Sequence, residues 1–140
     1  MSETDKINKQ ISKPEFRNIG LFDLIRYRFP FASIVSILHR ASGALIFLLI
    51  PLILWLLDQS LLSENSFDIF KDAVSHWYVK LILLVLIWAY LHHFCAGIRH
   101  LFLDLDIGVS KLQSRKSAAL VLLISPVLMV PIALKMFGVF

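Results

Sequence analysis

Three apolar runs dominate this 140-residue chain, and each is long enough to cross a lipid bilayer. A membrane helix needs about 20 mainly apolar residues. The runs extend from about Ser33 to Leu57, from Tyr78 to Leu103 and from Ser117 to Phe137. All three are continuously apolar rather than alternating, which excludes membrane strands and predicts helices. Pro51, Pro126 and Pro131 fall inside the runs, where neighbouring helices can satisfy the freed backbone groups. Hydrophobic residues make up 58% of the chain and mean hydropathy is +0.76. A water-soluble domain this small would have to expose much of that surface. The expected fold class is an all-α membrane protein with three transmembrane helices, part of a multi-subunit helical bundle.

The net charge of +4 invites a nucleic-acid reading, but the charges cluster at the ends of the apolar runs and no nucleic-acid module is present. On one side lie Lys6, Lys9, Lys13, Arg17, Arg26, Arg28, Arg40, Arg99, Lys111, Arg115 and Lys116; on the other lie Lys71, Lys80 and Lys135. The positive-inside rule places the N-terminus inside and the C-terminus outside. Trp55, Trp77 and Tyr78 then form an outer aromatic belt. MSETDKINKQ has neither signal-peptide nor transit-peptide character. The expected location is therefore the bacterial inner (cytoplasmic) membrane in preference to the mitochondrial one, with a cytoplasmic N-terminus and a periplasmic C-terminus. Residues 1–32 are expected to form a cytoplasmic arm and an interfacial segment, IGLFDLIRYRFP (Ile19–Pro30), ahead of a membrane domain at 33–140. Pro30 disfavours α geometry at Phe29 and marks a break before the first span. The single Cys95 excludes an internal disulfide.

Ionisable groups inside a span cost roughly 2.5–3.5 kcal/mol each on insertion scales, so each needs a reason. Ser36, His39, Arg40 and Gly43 share one stripe of the first helix; His93, Gly97 and His100 share one stripe of the second, with His92 and Arg99 pointing elsewhere. At 1.5 Å per residue, His93 lies about 15 Å before Leu103 and Arg40 about 10 Å after Ser33, so both stripes occupy the inner half of the bilayer. Packed face to face they would form one polar pocket, with Gly43 and Gly97 leaving room for a bulky group; lipid-facing placements are the alternative. An intramembrane imidazole suits a haem iron. His93 and His100 stand about 10.5 Å apart along the helix, too far to share one iron, so a second axial ligand would have to come from another span or another chain. His39 and Arg40 suit haem propionates.

Taken singly, these residues have plainer readings. His93 reads as a packing histidine, Arg40 and Arg99 as snorkelling anchors, and Ser36 and Ser42 as packing or back-bonding serines. His92 and His76 read as interfacial, Cys95 as a small packing residue, and Asp104 and Asp106 as a solvated helix end or partner contacts.

Together they carry more. SILHRASG (Ser36–Gly43) matches S-x-x-H-R-x-S, and HFCAGIRHLFLD (His93–Asp104) matches H-x-x-x-G-[aliphatic]-R-H-x-x-x-D. With the preceding RYRFP, they resemble the signatures of the cytochrome b subunit of succinate dehydrogenase, the larger membrane anchor of respiratory complex II. The resemblance covers nearly the whole chain. It departs at Lys13-Pro14, where the family commonly has Arg-Pro, and at the extra His92 beside His93. The resemblance implies a haem b shared with a second three-helix anchor subunit that supplies the other axial histidine. It makes His93 the axial ligand and places His39 and Arg40 at the propionates. It also implies a ubiquinone site bounded by Ser36 and Arg40, with Phe29 and Ile37 as apolar walls, beside an iron–sulfur subunit that receives electrons from a flavoprotein. No flavin motif and no cysteine set for iron–sulfur clusters is present, so the chain alone is expected to be no enzyme but an electron-transfer and anchor subunit. Alternatives are a haem-free structural anchor, the equivalent subunit of a fumarate reductase, and a transporter component. The last would need polar residues through the full bilayer, and the outer half is nearly all apolar.

Overall fold

A computed structural model describes Gly20 and residues 26–139. The expectations for an arm over residues 1–18, and for half of the Ile19–Pro30 segment, fall outside the described residues. Four helices follow in chain order among those described: α1 (Phe31–Leu61), α2 (Glu64–Ser75), α3 (Trp77–Asp104) and α4 (Lys111–Met136). Three of them, α1, α3 and α4, are long and apolar enough to cross a membrane, as the hydropathy pattern predicts. They form an up-down-up bundle in which α3 packs against both neighbours.

The helix ends follow local chemistry. Pro30 is the N-cap of α1, in extended geometry, and its carbonyl accepts from the Ser33 and Ile34 amides. The α3–α4 connection turns through Asp106 (φ 59°) and Gly108 (φ 81°), a left-handed region that Asp tolerates and Gly adopts freely. Ser110 then caps α4. Its hydroxyl accepts from the Gln113 amide at 3.4 Å and donates to Gln113 Oε1 at 2.8 Å, a serine N-cap with the Gln113 side chain folded back onto it. This cap starts α4 at Lys111, a turn and a half before the Ser117 boundary set by hydropathy, and so brings Ser114 and Ser117 into the helix.

The connection between α1 and α3 holds a helix that hydropathy alone did not foresee. Ser63 caps α2 by accepting from the Ser66 amide at 3.1 Å, and Glu64 stands in the first turn, where a negative charge is favoured. After it, His76 is exposed, and its Nδ1 donates to the Asp72 carbonyl at 2.9 Å.

The bundle interior is built from small residues. Val35, Ala96, Ala118 and Val121 form its buried cluster, with Ala32, Cys95 and Leu122 packed against it; Cys95 is thus the packing residue expected. Small side chains let membrane helices approach closely, since lipid gives no hydrophobic force between them. Large apolar groups such as Phe47, Leu48 and Trp55 point outward instead, which suits lipid or other subunits.

Candidate polar site on the α1–α3 seam

The two polar stripes do face each other. α1 and α3 run antiparallel, and the His39 and His93 rings stack with centroids 4.2 Å apart and planes within 13°. His100 joins them, its ring 5.0 Å from that of His39. Each helix receives the other's histidine over a glycine. A Cβ on Gly43 would stand 2.8 Å from His93 Cε1, and one on Gly97 would stand 3.6 Å from His39 Nε2. The space at the two glycines, expected to admit a bulky group into the pocket, is taken instead by an imidazole of the facing helix.

His93 is fixed in orientation. Its Nδ1 lies 3.0 Å from the His39 carbonyl oxygen, which can only accept, so Nδ1 carries the proton. Ser42 Oγ, itself donating to the same carbonyl at 3.0 Å, lies 3.3 Å from Nδ1. Nε2 makes no hydrogen bond among the described residues. A histidine with Nδ1 tied to a backbone carbonyl and Nε2 free is the usual state of a haem or metal ligand. Ser42 is a back-bonding serine, as expected. No group of three or more His, Cys, Asp or Glu side chains among the described residues is arranged to hold a bare metal ion. One imidazole with Nδ1 tied back and Nε2 unbonded fits a haem, whose macrocycle supplies the other nitrogens.

The tight Gly43 contact yields a direct prediction. Gly43→Ala puts a methyl against the His93 ring and should destabilise the α1–α3 pair by about 1–3 kcal/mol, as overpacking does. A lowered midpoint of thermal unfolding in detergent checks it; an unchanged midpoint means that the ring moves aside freely.

Ser36, Ile37 and Arg40 line one shallow groove of about 450 Å³, together with Ala32, Ser33, Leu103, Ser114 and Arg99. Arg40 is exposed and Ser36 half-buried. Phe29 lies in the adjoining concavity of about 560 Å³, with Phe31, Val109, Lys111 and Arg115. The two hollows share Ala32 and Ser114.

Two readings need correction. His92 is not interfacial: it is 1% exposed. Its Nδ1 lies 3.4 Å from Ser125 Oγ on α4, its ring 5.6 Å from that of Trp88, and its Nε2 is buried without a partner. Arg99 is not a snorkelling anchor either: it is 7% exposed. Its Nε donates to Ser117 Oγ at 3.0 Å and its Nη2 to Ser114 Oγ at 3.0 Å. The cause is helical phase. Ala89, His92, Ala96 and Arg99 are the buried residues of α3 and recur at steps of three and four along one face. The alanines on that stripe, with Ser114, Ser117 and Ser125 on α4, were the available signal.

A family model described as succinate dehydrogenase/fumarate reductase transmembrane subunit matches residues 20–132. Over 104 residues the chain is 38% identical to the succinate dehydrogenase cytochrome b556 subunit of Coxiella burnetii (strain RSA 493 / Nine Mile phase I), covering 74% of this chain and 83% of that one. Over 114 residues it is 37% identical to the protein of the same name from Paracoccus denitrificans, covering 81% and 87%.

Proposed function

Because this chain belongs to the succinate dehydrogenase/fumarate reductase transmembrane subunit family, we propose that it is the membrane-anchoring cytochrome b subunit of a succinate:ubiquinone oxidoreductase. In this reading it holds haem b at an interface with a second three-helix anchor subunit and lines the quinone-reduction site beside the iron–sulfur subunit. It sits in a bacterial inner membrane with its N-terminus cytoplasmic. The name carried by the two relatives favours succinate oxidation as the direction.

The observation that carries the haem reading is the locked His93 imidazole, whose Nδ1–H donates to the His39 carbonyl while Nε2 stays free. His93 would hold the iron, with His39 and Arg40 toward the propionates, and the second axial histidine would come from the partner anchor. Bound haem supplies a one-electron iron centre.

The groove supports the quinone reading. Its volume lies within the range of small-molecule sites, and its walls mix aliphatic and hydroxyl groups with two guanidinium groups. Reduction of ubiquinone to ubiquinol takes two electrons and two protons, and oxidation of succinate to fumarate in the soluble subunits releases as many of each. Ser36 can donate a hydrogen bond to a quinone oxygen, and Arg40 holds positive charge where that oxygen becomes negative.

A reduced-minus-oxidised visible spectrum of the detergent-solubilised complex tests the haem assignment. A b-type α-band is expected. Its absence would reduce the chain to an anchor that lines a quinone site.

A further inference from the structure

Arg99 is the buried charge that neither the haem reading nor the helix packing accounts for. At 7% exposure a guanidinium is expensive, and one left without a counter-ion inside a membrane is more so. Nothing among the described residues supplies that counter-ion. Its partners are the neutral Ser114 and Ser117 hydroxyls and, at 3.4 Å, the Ser114 carbonyl. Those bonds engage Nε and Nη2, and Nη1 has no hydrogen bond among the described residues. A guanidinium offers five donors in a rigid fork, so this one is held from the α4 side with donors to spare.

The spare donors belong to the groove. Arg99 lines it with Ser36, Ile37 and Arg40, whereas His93 and His100 stand on the neighbouring stripe of α3, against His39 of α1. Arg40 and Arg99 thus approach one hollow from α1 and α3. They differ in freedom. Arg40 is exposed and can swing, while Arg99 is pinned to α4. A pinned charge in a desolvated place costs no reorganisation when charge develops on a bound group, and it is worth more than the same charge in water.

We propose that Arg99 is the second, preorganised cation of the quinone groove, donating to a ubiquinone oxygen while Ser114 and Ser117 hold it in place. The inference rests on the quinone reading above and deepens it. The α3–α4 contact is thereby part of the site, with Ser114 both lining the groove and holding the guanidinium.

The test uses the assembled complex and two readouts: equilibrium binding of a short-chain ubiquinone, and kcat and KM for its reduction by succinate. Arg99→Gln keeps hydrogen-bonding capacity and removes charge. It should weaken quinone binding and raise KM by about tenfold, the loss typical of a charge-assisted hydrogen bond. Arg99→Lys restores the charge and should recover most of the affinity. Ser125→Ala removes an α3–α4 contact away from the groove and keeps the charge and its holders, and should stay within about twofold of the parent. Unchanged quinone affinity in Arg99→Gln overturns the proposal. So does equal damage from Ser125→Ala, which would mean a packing role for the α3–α4 contact. Should Arg99→Gln fail to assemble, an assembled Arg99→Lys complex with parental affinity supports the proposal and one with tenfold weaker affinity overturns it. If Arg40→Leu weakens quinone reduction and Arg99→Gln does not, this inference falls and the quinone reading stands. If neither does, the quinone reading itself falls.

Discussion

Replacing His93 by leucine is expected to abolish or shift the b-type spectrum of the assembled complex, while His92→Leu leaves it in place. The two residues are adjacent in sequence but sit 100° apart on α3. His93 faces α1 with Nδ1 tied to the His39 carbonyl, whereas His92 faces α4, 1% exposed, beside Ser125. Loss of a hydrogen bond behind a metal ligand costs roughly 10- to 100-fold in affinity, and loss of the ligand itself should cost more. The expected result is therefore near-complete loss of the parental signal in His93→Leu, read in reduced-minus-oxidised difference spectra at matched protein. A parental spectrum in His93→Leu would remove His93 as ligand. Loss of the spectrum in His92→Leu alone would transfer the role to the α3–α4 face. His92→Leu also gives up the Nδ1–Ser125 Oγ contact, so it reports packing on the α3–α4 side rather than at the α1–α3 seam.

The second large effect is expected at Arg40. Arg40→Leu should lower succinate:quinone reductase activity roughly 10- to 100-fold, at or below the low end of what removing a single preorganised donor costs, since Arg40 is exposed. Succinate oxidation with an artificial acceptor that takes electrons from the soluble subunits should persist. Because soluble subunits released from the membrane would also keep the artificial-acceptor activity, the contrast separates a quinone role from a structural one when the variant complex is shown to remain assembled. Equal loss of both with the subunits still assembled would count against the groove as a quinone site.

The stripes that build the site were readable because helical phase is a property of sequence alone. Ser36, His39, Arg40 and Gly43 on α1, and His93, Gly97 and His100 on α3, could be assigned to faces without coordinates. Their mutual approach needed only the short connections and antiparallel runs. What was not readable depended on a third helix. Arg99 looked like an interface anchor because its own run ends nearby, and only the early start of α4, set by the Ser110 cap, brings Ser114 and Ser117 within reach of it. His92 was misplaced for the same reason: its partner Ser125 lies in an apolar run whose rotation hydropathy does not report. The α2 helix was missed because an amphipathic helix without buried residues leaves little mark on a window tuned to apolar spans.

The reciprocal seating of each histidine over the other helix's glycine also bears on how such a chain assembles. Membrane helices insert one by one and find their neighbours afterwards, so two greasy rods can in principle dock at several offsets. Here α1 contains Gly43 as its single glycine and α3 contains Gly97. A slide by one turn, about 5.4 Å, would set the His93 ring against Phe47 or His39 instead of Gly43, and His39 would meet His93 or Leu101 in place of Gly97. Both notches must match at once, so they act as a two-tooth key that admits a single alignment. The imidazole spacing on the seam is thus written into the chain itself, ready before any neighbouring subunit arrives.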